Sequence, residues 1–150
     1  MGFARTIDNG IEPLRKLANK VGSPLFDLAA RLYLGYEFFK AGATRRADFQ
    51  SGNFENQINL FEFEHPVPGL SAEVAAYTTM GAETILPVML FVGLFSRFSA
   101  AGLLIMTAVI EFTYGHFDSH ILWAFLAAMI FIKGPGALSA DHLLLKFIRK

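Results

Sequence analysis

The sequence predicts an all-α integral membrane protein: a four-helix bundle with short amphipathic helices at both termini and in the first outer loop. Hydrophobic residues make up 53% of the 150 residues and charged residues only 17%, whereas a typical soluble domain has about 25% charged residues. The mean hydropathy is +0.41. Within Gly81–Gly102, two apolar helices meet in a turn of a few residues around Ser96 and Arg97, which is typical of a membrane hairpin. At this length the chain forms one domain.

The totals also exclude several classes of function. The formal net charge is zero, so no nucleic-acid partner is expected. The absence of cysteine excludes disulfides, thiol catalysis and thiolate metal sites. No apolar segment with a small-residue cleavage site opens the sequence, so we expect no cleaved signal peptide and expect the first membrane helix to direct insertion.

The N-terminal tail contains a basic amphipathic segment at residues 11–21. Its apolar residues recur at helical spacing and its basic residues occupy the remaining faces, a pattern typical of a helix that lies on an anionic membrane surface. The first span follows, at about residues 24–43, where Ser23 is the predicted cap and Pro24 suits the first helical position.

This first span carries four charged residues. Asp27 and Arg31 are spaced i,i+4, and Glu37 and Lys40 are spaced i,i+3, so each pair can neutralise itself within the helix. Arg31 and Glu37 lie deeper in the span, and we expect them to face other helices because an unburied intramembrane charge is costly.

The loop over residues 44–70 is the longest polar segment. Phe54, Ile58 and Phe61 have the spacing of one helical face, which predicts a short helix that lies over the mouth of the bundle. Pro66 and Pro68 would end it.

Three further spans are predicted at about residues 71–95, 98–114 and 119–133. Ser71 caps the second span, which contains Glu83, and Ser139 caps a last amphipathic helix after a Gly-Pro-Gly break. The fourth span is short for a bilayer and would need local thinning or tilted neighbours.

Basic residues predict the orientation. The two termini and the turn between spans two and three hold nine Lys and Arg residues, against two in the other loops, which places both termini in the cytoplasm by the positive-inside rule. We therefore expect a multi-pass protein of a bacterial cytoplasmic (inner) membrane. The nine are Arg5, Arg15, Lys16, Lys20, Arg97, Lys133, Lys146, Arg149 and Lys150; the two are Arg45 and Arg46.

Three stretches together resemble the DoxX family of small four-helix membrane proteins. They are ARLYLGYEFFKAGATR, GAETILPVMLFVGLFSRFSAAGLLIMTAVI and WAFLAAMIFIKGPGALSADHLL, and the similarity extends over about residues 25–146. Two mild departures are Arg45, where family members more often have Lys, and Ala140, where Leu is usual.

The resemblance implies a partner-dependent redox function. The family name derives from a membrane subunit associated with thiosulfate:quinone oxidoreductase, and relatives are linked to thiol and oxidative-stress complexes. The loop NLFEFEHPVPGLSAEVAAY resembles a subgroup encoded beside peptide-modifying iron enzymes and metal-stress functions. The expected partners are therefore the lipid bilayer and redox or peptide-modification proteins, with a homo-oligomer as a further candidate assembly.

Unusual polar residues collect in the predicted outer half of the bundle. In a quinone-linked redox subunit, Glu83 or Glu111 would take up protons while Tyr114 or His120 hydrogen-bonds a quinone carbonyl. No flavin, haem or iron–sulfur motif is present, so a partner would supply the electrons. The candidate catalytic residues are Glu83, Glu111 and Tyr114, and the candidate polar bundle contacts are Arg31, Glu37, Lys40 and Arg97.

Two other interpretations remain open from the residues. His65, His116 and His120, together with Glu111 or Asp118, have ligand types that suit copper or zinc, although they show no recognised ligand spacing. Alternatively Glu83 pairs with Arg31 across helices, and the protein is a structural anchoring subunit.

Overall fold

The computed structural model describes the backbone of residues 2–115 and 117–149 and the side chains of residues 10–115 and 117–149. All secondary-structure elements assigned within those ranges are helices, which confirms the all-α prediction. Two π-helical turns, Ala18–Gly22 and Leu60–Glu64, continue α1 and α3. The α-helices are α1 (Gly2–Leu17), α2 (Ser23–Gln50), α3 (Glu55–Asn59), α4 (Ala72–Val92), α5 (Ser96–Thr113), α6 (Asp118–Lys133) and α7 (Ala140–Ile148).

Within the described residues, two helices are long and apolar enough to cross a membrane, α4 and α5. The first and fourth spans predicted from the sequence fall on α2 and α6. Neither meets both requirements, since α2 is long but strongly charged and α6 is apolar but short. α2 carries the four charged residues discussed above, and α6 has only 16 residues, or roughly 24 Å of helix.

The main core is built by α2, α4, α5 and α6 together. Together they contribute small, aliphatic and aromatic side chains to one buried cluster: Ala30, Leu34, Phe38, Leu90, Ala100, Leu103, Leu126, Ala127 and Ile130. A smaller cluster holds α3 and its π-helical turn against the start of α4, through Phe54, Phe61, Ala75 and Ala76. The predicted short helix of the first loop therefore packs over the ends of the long helices.

Glycine allows α2 and α4 to approach closely beside Glu83. A Cβ atom placed on Gly42 would lie 2.6 Å from the carbonyl oxygen of Glu83 and 2.8 Å from its carbonyl carbon. Real side chains do not tolerate such contacts with backbone, because neither helix can yield locally. Gly42 thus sets the separation of the two helices.

The turn between α4 and α5 is fixed by the start of α7. Gly93 ends α4 in the left-handed conformation, as is common at helix C-termini. Phe95 also has a positive φ of 48°, which is unusual for a residue with a side chain. Asp141 stabilises the turn, since its Oδ1 accepts from the Phe95 N–H at 2.8 Å and its Oδ2 from the Ser96 N–H at 2.9 Å. The Asp141 N–H in turn donates to the Gly93 carbonyl.

The outward faces of the long helices are apolar. Ile85, Val88 and Val92 are exposed on α4, and Ile105 and Phe112 on α5. α6 exposes Ile121, Leu122, Phe125 and Ile132 in the same way. Water-soluble helices are usually polar on this side, so the surface is of the kind that faces lipid.

Two expectations about α2 are wrong. The helix does not end near Ala43 but continues to Gln50, which places Arg45 and Arg46 on α2 rather than in the loop. Ser23 is not a cap either, because the chain enters α2 directly from the π-helical turn, and its Oγ instead accepts a hydrogen bond from Lys133 at 3.2 Å.

The close approach at Gly42 yields a stability prediction. Gly42→Ala should destabilise the protein by about 1–3 kcal/mol, because the added methyl forces the backbone of α4 away. The measurement is thermal unfolding in mild detergent. Gly81→Ala is the matched control, since a Cβ there meets nothing within 4 Å and the change should be neutral or slightly stabilising. Equal effects at the two positions would contradict the packing argument.

Candidate functional site

A cavity of about 440 Å³ lies between the long helices at one end of the molecule. The segment 54–70, named the lid here, covers it. Side chains of α2, α4, α5, α6 and the lid contribute to its mostly apolar wall: Glu37, Phe38, Ala41, Arg45, Leu60, Phe61, His65, Val67, Leu70, Ala75, Thr78, Thr79, Glu83, Ile105, Met106, Val109, Ile110, Thr113, Tyr114, His120 and Trp123.

A buried ion pair lies in the wall of this cavity. The Nε atom of Arg45 donates to Oε2 of Glu83 at 2.9 Å, and the side chains are 17% and 2% exposed. Burying a carboxylate is costly unless it is paired and hydrogen-bonded. The contact depends on local folding: the extension of α2 beyond Ala43 carries Arg45 inward, and Gly42 lets Glu83 come close.

Arg45 also connects this ion pair to the lid. Its Nη1 donates to Oε1 of Gln57, and its guanidinium lies over the ring of Phe61, 5.2 Å from the centroid. Gln57 in turn donates to Asp48 Oδ2 at 2.5 Å. The position of the lid is therefore coupled to the same arginine that neutralises Glu83.

A second polar pair joins α5 and α6. Nδ1 of His120 lies 2.6 Å from Oε2 of Glu111. The His120 side chain is 7% exposed and that of Glu111 is 27% exposed, so the pair extends from the buried wall of the cavity toward the surface. A carboxylate and an imidazole in such contact can share or pass a proton.

Aromatic rings line the same end of the cavity. The ring of His65, in the lid, lies edge-on to Tyr114 with centroids 3.9 Å apart. Trp123 contacts both Phe38 at 5.4 Å and His120 at 5.2 Å between centroids. These ring contacts form a mostly apolar, aromatic wall that contains few polar atoms.

Two polar atoms of this wall lack a protein partner. Nδ1 of His65 and Nε1 of Trp123 are buried and make no hydrogen bond within the described chain. Most buried polar atoms in folded proteins are hydrogen-bonded, so each such exception needs an explanation. Because both residues line the cavity, a bound molecule with polar groups would supply the missing partners.

A separate polar network occupies the opposite end of the helices. Nη1 of Arg31, which is fully buried, donates to the Leu90 carbonyl at 2.9 Å. Its Nη2 donates to the Leu138 carbonyl.

Two further polar contacts lie at the same end. Asp27 accepts from Lys133 at 2.6 Å, and Arg97 donates to the Ile132 carbonyl at 3.3 Å. Together with those of Arg31, these contacts tie α2, α4, α5 and α6 to the loop before α7.

The structure brings most of the predicted outer residues together. Glu37, Glu83, Tyr114, His65 and His120 all line the cavity, and Glu111 joins them through His120. Lys40 is exposed and pairs with Glu37 at 3.2 Å, as expected.

Two predicted pairings are wrong. Asp27 bonds Lys133 rather than Arg31, and Glu83 pairs with Arg45 rather than with Arg31. Arg31 instead donates to the carbonyls of Leu90 and Leu138, and its Nε has no partner among the described residues.

The histidines do not form a complete metal site in the described residues. His116 lies outside them, and no three His, Asp or Glu side chains among the rest are grouped as metal ligands. His65 packs on Tyr114 while His120 bonds Glu111. The metal hypothesis stays an untested prediction.

Sequence reasoning missed Arg45, Gln57 and Trp123. Arg45 follows Gly42 by three residues and belongs to the same face of α2. The polar sequence around it predicts a loop instead. Trp123 is the single tryptophan of the chain, and its spacing of three from His120 places the two on one face of α6. That spacing is the signal that could have marked it.

Comparison with known proteins identifies the family. The DoxX family model matches residues 26–116, which is more than half of the chain. The chain belongs to the DoxX family. It is therefore a membrane protein in contact with the lipid bilayer, in agreement with its apolar exterior.

One relative matches this DoxX protein over nearly its whole length. An uncharacterized protein of Haemophilus influenzae is 27% identical over 139 residues, which covers 84% of this chain and 87% of the relative. No solved structure shows a significant match.

The ion pair yields a second prediction, which uses the neighbouring arginine as its control. Arg45→Ala should lower the unfolding free energy by about 3–5 kcal/mol, because it leaves the Glu83 carboxylate buried without a partner. Arg46→Ala should cost less, roughly 1–2 kcal/mol, since Arg46 donates to the neutral hydroxyl of Thr84 at 2.5 Å and lies over the ring of Phe39, and its loss leaves no buried charge unpaired. Thermal or denaturant unfolding in detergent measures both changes.

A double variant separates loss of charge balance from loss of packing. Adding Glu83→Gln to Arg45→Ala should recover part of the lost stability, because a neutral amide is cheaper to bury than an unpaired carboxylate. No recovery, together with equal losses for Arg45→Ala and Arg46→Ala, would show that the ion pair does not carry the effect.

Proposed function

We propose that this DoxX protein is a multi-pass, non-autonomous subunit of a quinone-linked redox or oxidative-stress complex in a bacterial cytoplasmic membrane. In this proposal its cavity holds a quinone-class molecule, and a partner protein supplies or removes the electrons. The observation that carries the proposal is the aromatic cavity with two unpartnered buried polar atoms, on His65 and Trp123.

Four spans fit the distribution of exposed and buried groups better than two. On α2 the charged Asp27 and Arg31 are buried, while Leu25, Phe26, Leu32 and Tyr33 are exposed. α6 is short, but it exposes Ile121, Phe125 and Ile132 and packs in the common core. Intramembrane charges are tolerated when they face the interior of the helix assembly, so both helices suit a bilayer.

The cavity matches the size and chemistry of a quinone head group. A volume of about 440 Å³ is within the range of ligand pockets of about 300–1,000 Å³. Flat aromatic side chains suit a flat ring. The Trp123 N–H can donate to a carbonyl oxygen, and His65 Nδ1 can donate or accept according to its tautomer.

Proton exchange is the chemistry that the cavity residues can perform. Conversion of a quinone to a quinol takes up two electrons and two protons, and the reverse reaction releases them. Glu111 and His120 form a contact from the cavity wall toward the surface, which is suited to passing protons. Glu83 is a second carboxylate at the cavity, held by Arg45.

The electrons come from elsewhere in this proposal. The sequence has no recognised flavin, haem or iron–sulfur motif, and its 150 residues are largely occupied by the helices. The protein therefore binds, orients and protonates or deprotonates the quinone, while a redox or peptide-modification partner carries the electron-transfer group.

The topology can be tested with single cysteines, because the chain has none of its own. In intact cells, a membrane-impermeant maleimide should label Ser51→Cys and Ser119→Cys, which are exposed at the cavity end. Ala137→Cys, exposed at the opposite end, should react only after lysis. Labelling of all three sites from the same side would contradict the four-span arrangement.

Quinone binding can be followed through the single tryptophan. Titration with a short-chain ubiquinone analogue should quench Trp123 fluorescence in a saturable way, because the quinone ring would lie against the indole. Glu83→Gln should keep the protein inserted but abolish quinone-dependent turnover of the assembled complex.

A relocated tryptophan is the matched control. In the variant Trp123→Phe/Phe112→Trp, the indole moves to a position that is 86% exposed on the outer surface, where quenching should be weak and not saturable. Saturable quenching that is the same in both proteins would assign it to quinone in the detergent. Unchanged turnover in Glu83→Gln would exclude a role for that carboxylate.

A further inference from the structure

The end of the molecule opposite the cavity carries an open groove of about 880 Å³. It lies between the first turn of α5, the loop after α6 and the C-terminal helix α7. Neither the quinone proposal nor the helix core uses this groove, yet its lining combines basic and apolar side chains in a definite arrangement.

Basic groups are placed around the rim of the groove. Arg97, Lys133 and Arg149 all line it. Arg97 lies against the loop, since a Cβ on Gly134 would be 3.6 Å from its guanidinium. It uses one N–H for the Ile132 carbonyl, whereas a guanidinium carries five. The groove thus offers N–H donors to an anion.

The acidic groups near the groove are already engaged. Both carboxylate oxygens of Asp141 accept backbone N–H groups, from Phe95 and Ser96. Asp27 is bound to Lys133, which makes Lys133 a weaker site than the two arginines. The charge balance of the groove therefore favours a negatively charged occupant.

The floor and flank of the groove are apolar. α7 has five large aliphatic or aromatic side chains, all at least 48% exposed: Leu143, Leu144, Leu145, Phe147 and Ile148. Phe95 and Phe98, at the groove edge, are also exposed, at 64% and 68%. An exposed apolar surface of this extent beside basic residues is typical of a helix lying at a membrane interface.

We infer that the groove is a binding site for an anionic phospholipid. Its phosphate binds Arg97 and Arg149, and its acyl chains lie along the exposed side chains of Phe98 and α7. A lipid fits better than a protein partner because basic groups and exposed apolar side chains lie together, which suits a phosphate with attached acyl chains. In the proposed four-span topology this is the cytoplasmic leaflet, and the site does not depend on what occupies the cavity.

Anchoring of α7 gives the lipid a structural consequence. The start of α7 holds the α4–α5 turn through Asp141 and receives Arg31 at the Leu138 carbonyl. A lipid that binds both Arg149 at the end of α7 and Arg97 at the start of α5 would add a second connection between these two helices. Binding should therefore stabilise the fold as well as attach a lipid.

The test is native mass spectrometry of the full chain in mild detergent with added dioleoyl-phosphatidylglycerol or dioleoyl-phosphatidylcholine. Phosphatidylglycerol adducts should survive at collision energies that remove phosphatidylcholine. In Arg97→Gln/Arg149→Gln, phosphatidylglycerol binding should fall about 25-fold, since each basic side chain at a membrane surface contributes about fivefold. Circular dichroism verifies that the variant is folded.

The control removes the same charge elsewhere. Lys40→Gln/Arg46→Gln removes two basic groups at the cavity end of the molecule, away from the groove, and should leave the adducts unchanged. Equal retention of the two lipids, or equal loss in both double variants, would overturn the site. Displacement of the lipid by millimolar inorganic phosphate would show a phosphate site without the acyl-chain contacts, which also contradicts the proposal.

Discussion

Satisfying polar groups inside an apolar exterior is the constraint on which the structure depends. The long helices expose aliphatic and aromatic side chains outward, so a charge buried among them needs a polar partner. Arg31 has two backbone carbonyls as partners, and Glu83 has Arg45. The first arrangement joins the helices to the C-terminal segment, and the second joins them to the lid. Gly42 makes the second possible, because only glycine lets α2 reach the backbone of Glu83.

The buried polar groups are arranged differently at the two ends of the molecule. At one end the polar groups hold the α4–α5 turn and α7 in place, although Arg31 Nε and Ser96 Oγ have no hydrogen-bond partner among the described residues. At the other end they surround a cavity, and the nitrogens of His65 and Trp123 stay without protein partners. Unlike Arg31 and Ser96, His65 and Trp123 line the cavity, so a ligand bound there would supply the missing hydrogen-bond partners. In the proposed function, the contact between Glu111 and His120 is the proton route beside that ligand.

Helical periodicity and apolar composition were sufficient to predict the all-α fold, the α4–α5 hairpin and the gathering of polar residues at one end. The pairings were harder. Spacing and charge predict Asp27 or Glu83 as the partner of Arg31, but a guanidinium can also donate to backbone carbonyls, and no sequence pattern shows where those carbonyls lie. Arg45 was missed because nothing in its neighbourhood signals that α2 continues to Gln50; tertiary contacts with α4 and the lid stabilise that extension. Trp123 gained its importance only from the neighbours that folding placed around it.

The central claim is that the cavity under the lid holds a quinone-class ligand, and photoaffinity labelling tests it most directly. The protein would be reconstituted in liposomes with an azido-quinone, irradiated, and digested for peptide mapping. The account predicts labels on the lid peptide with His65 and on the α6 peptide with Trp123, both suppressed by excess unlabelled quinone. Labels spread over exposed positions such as Ile85 and Phe125, without competition, would contradict it.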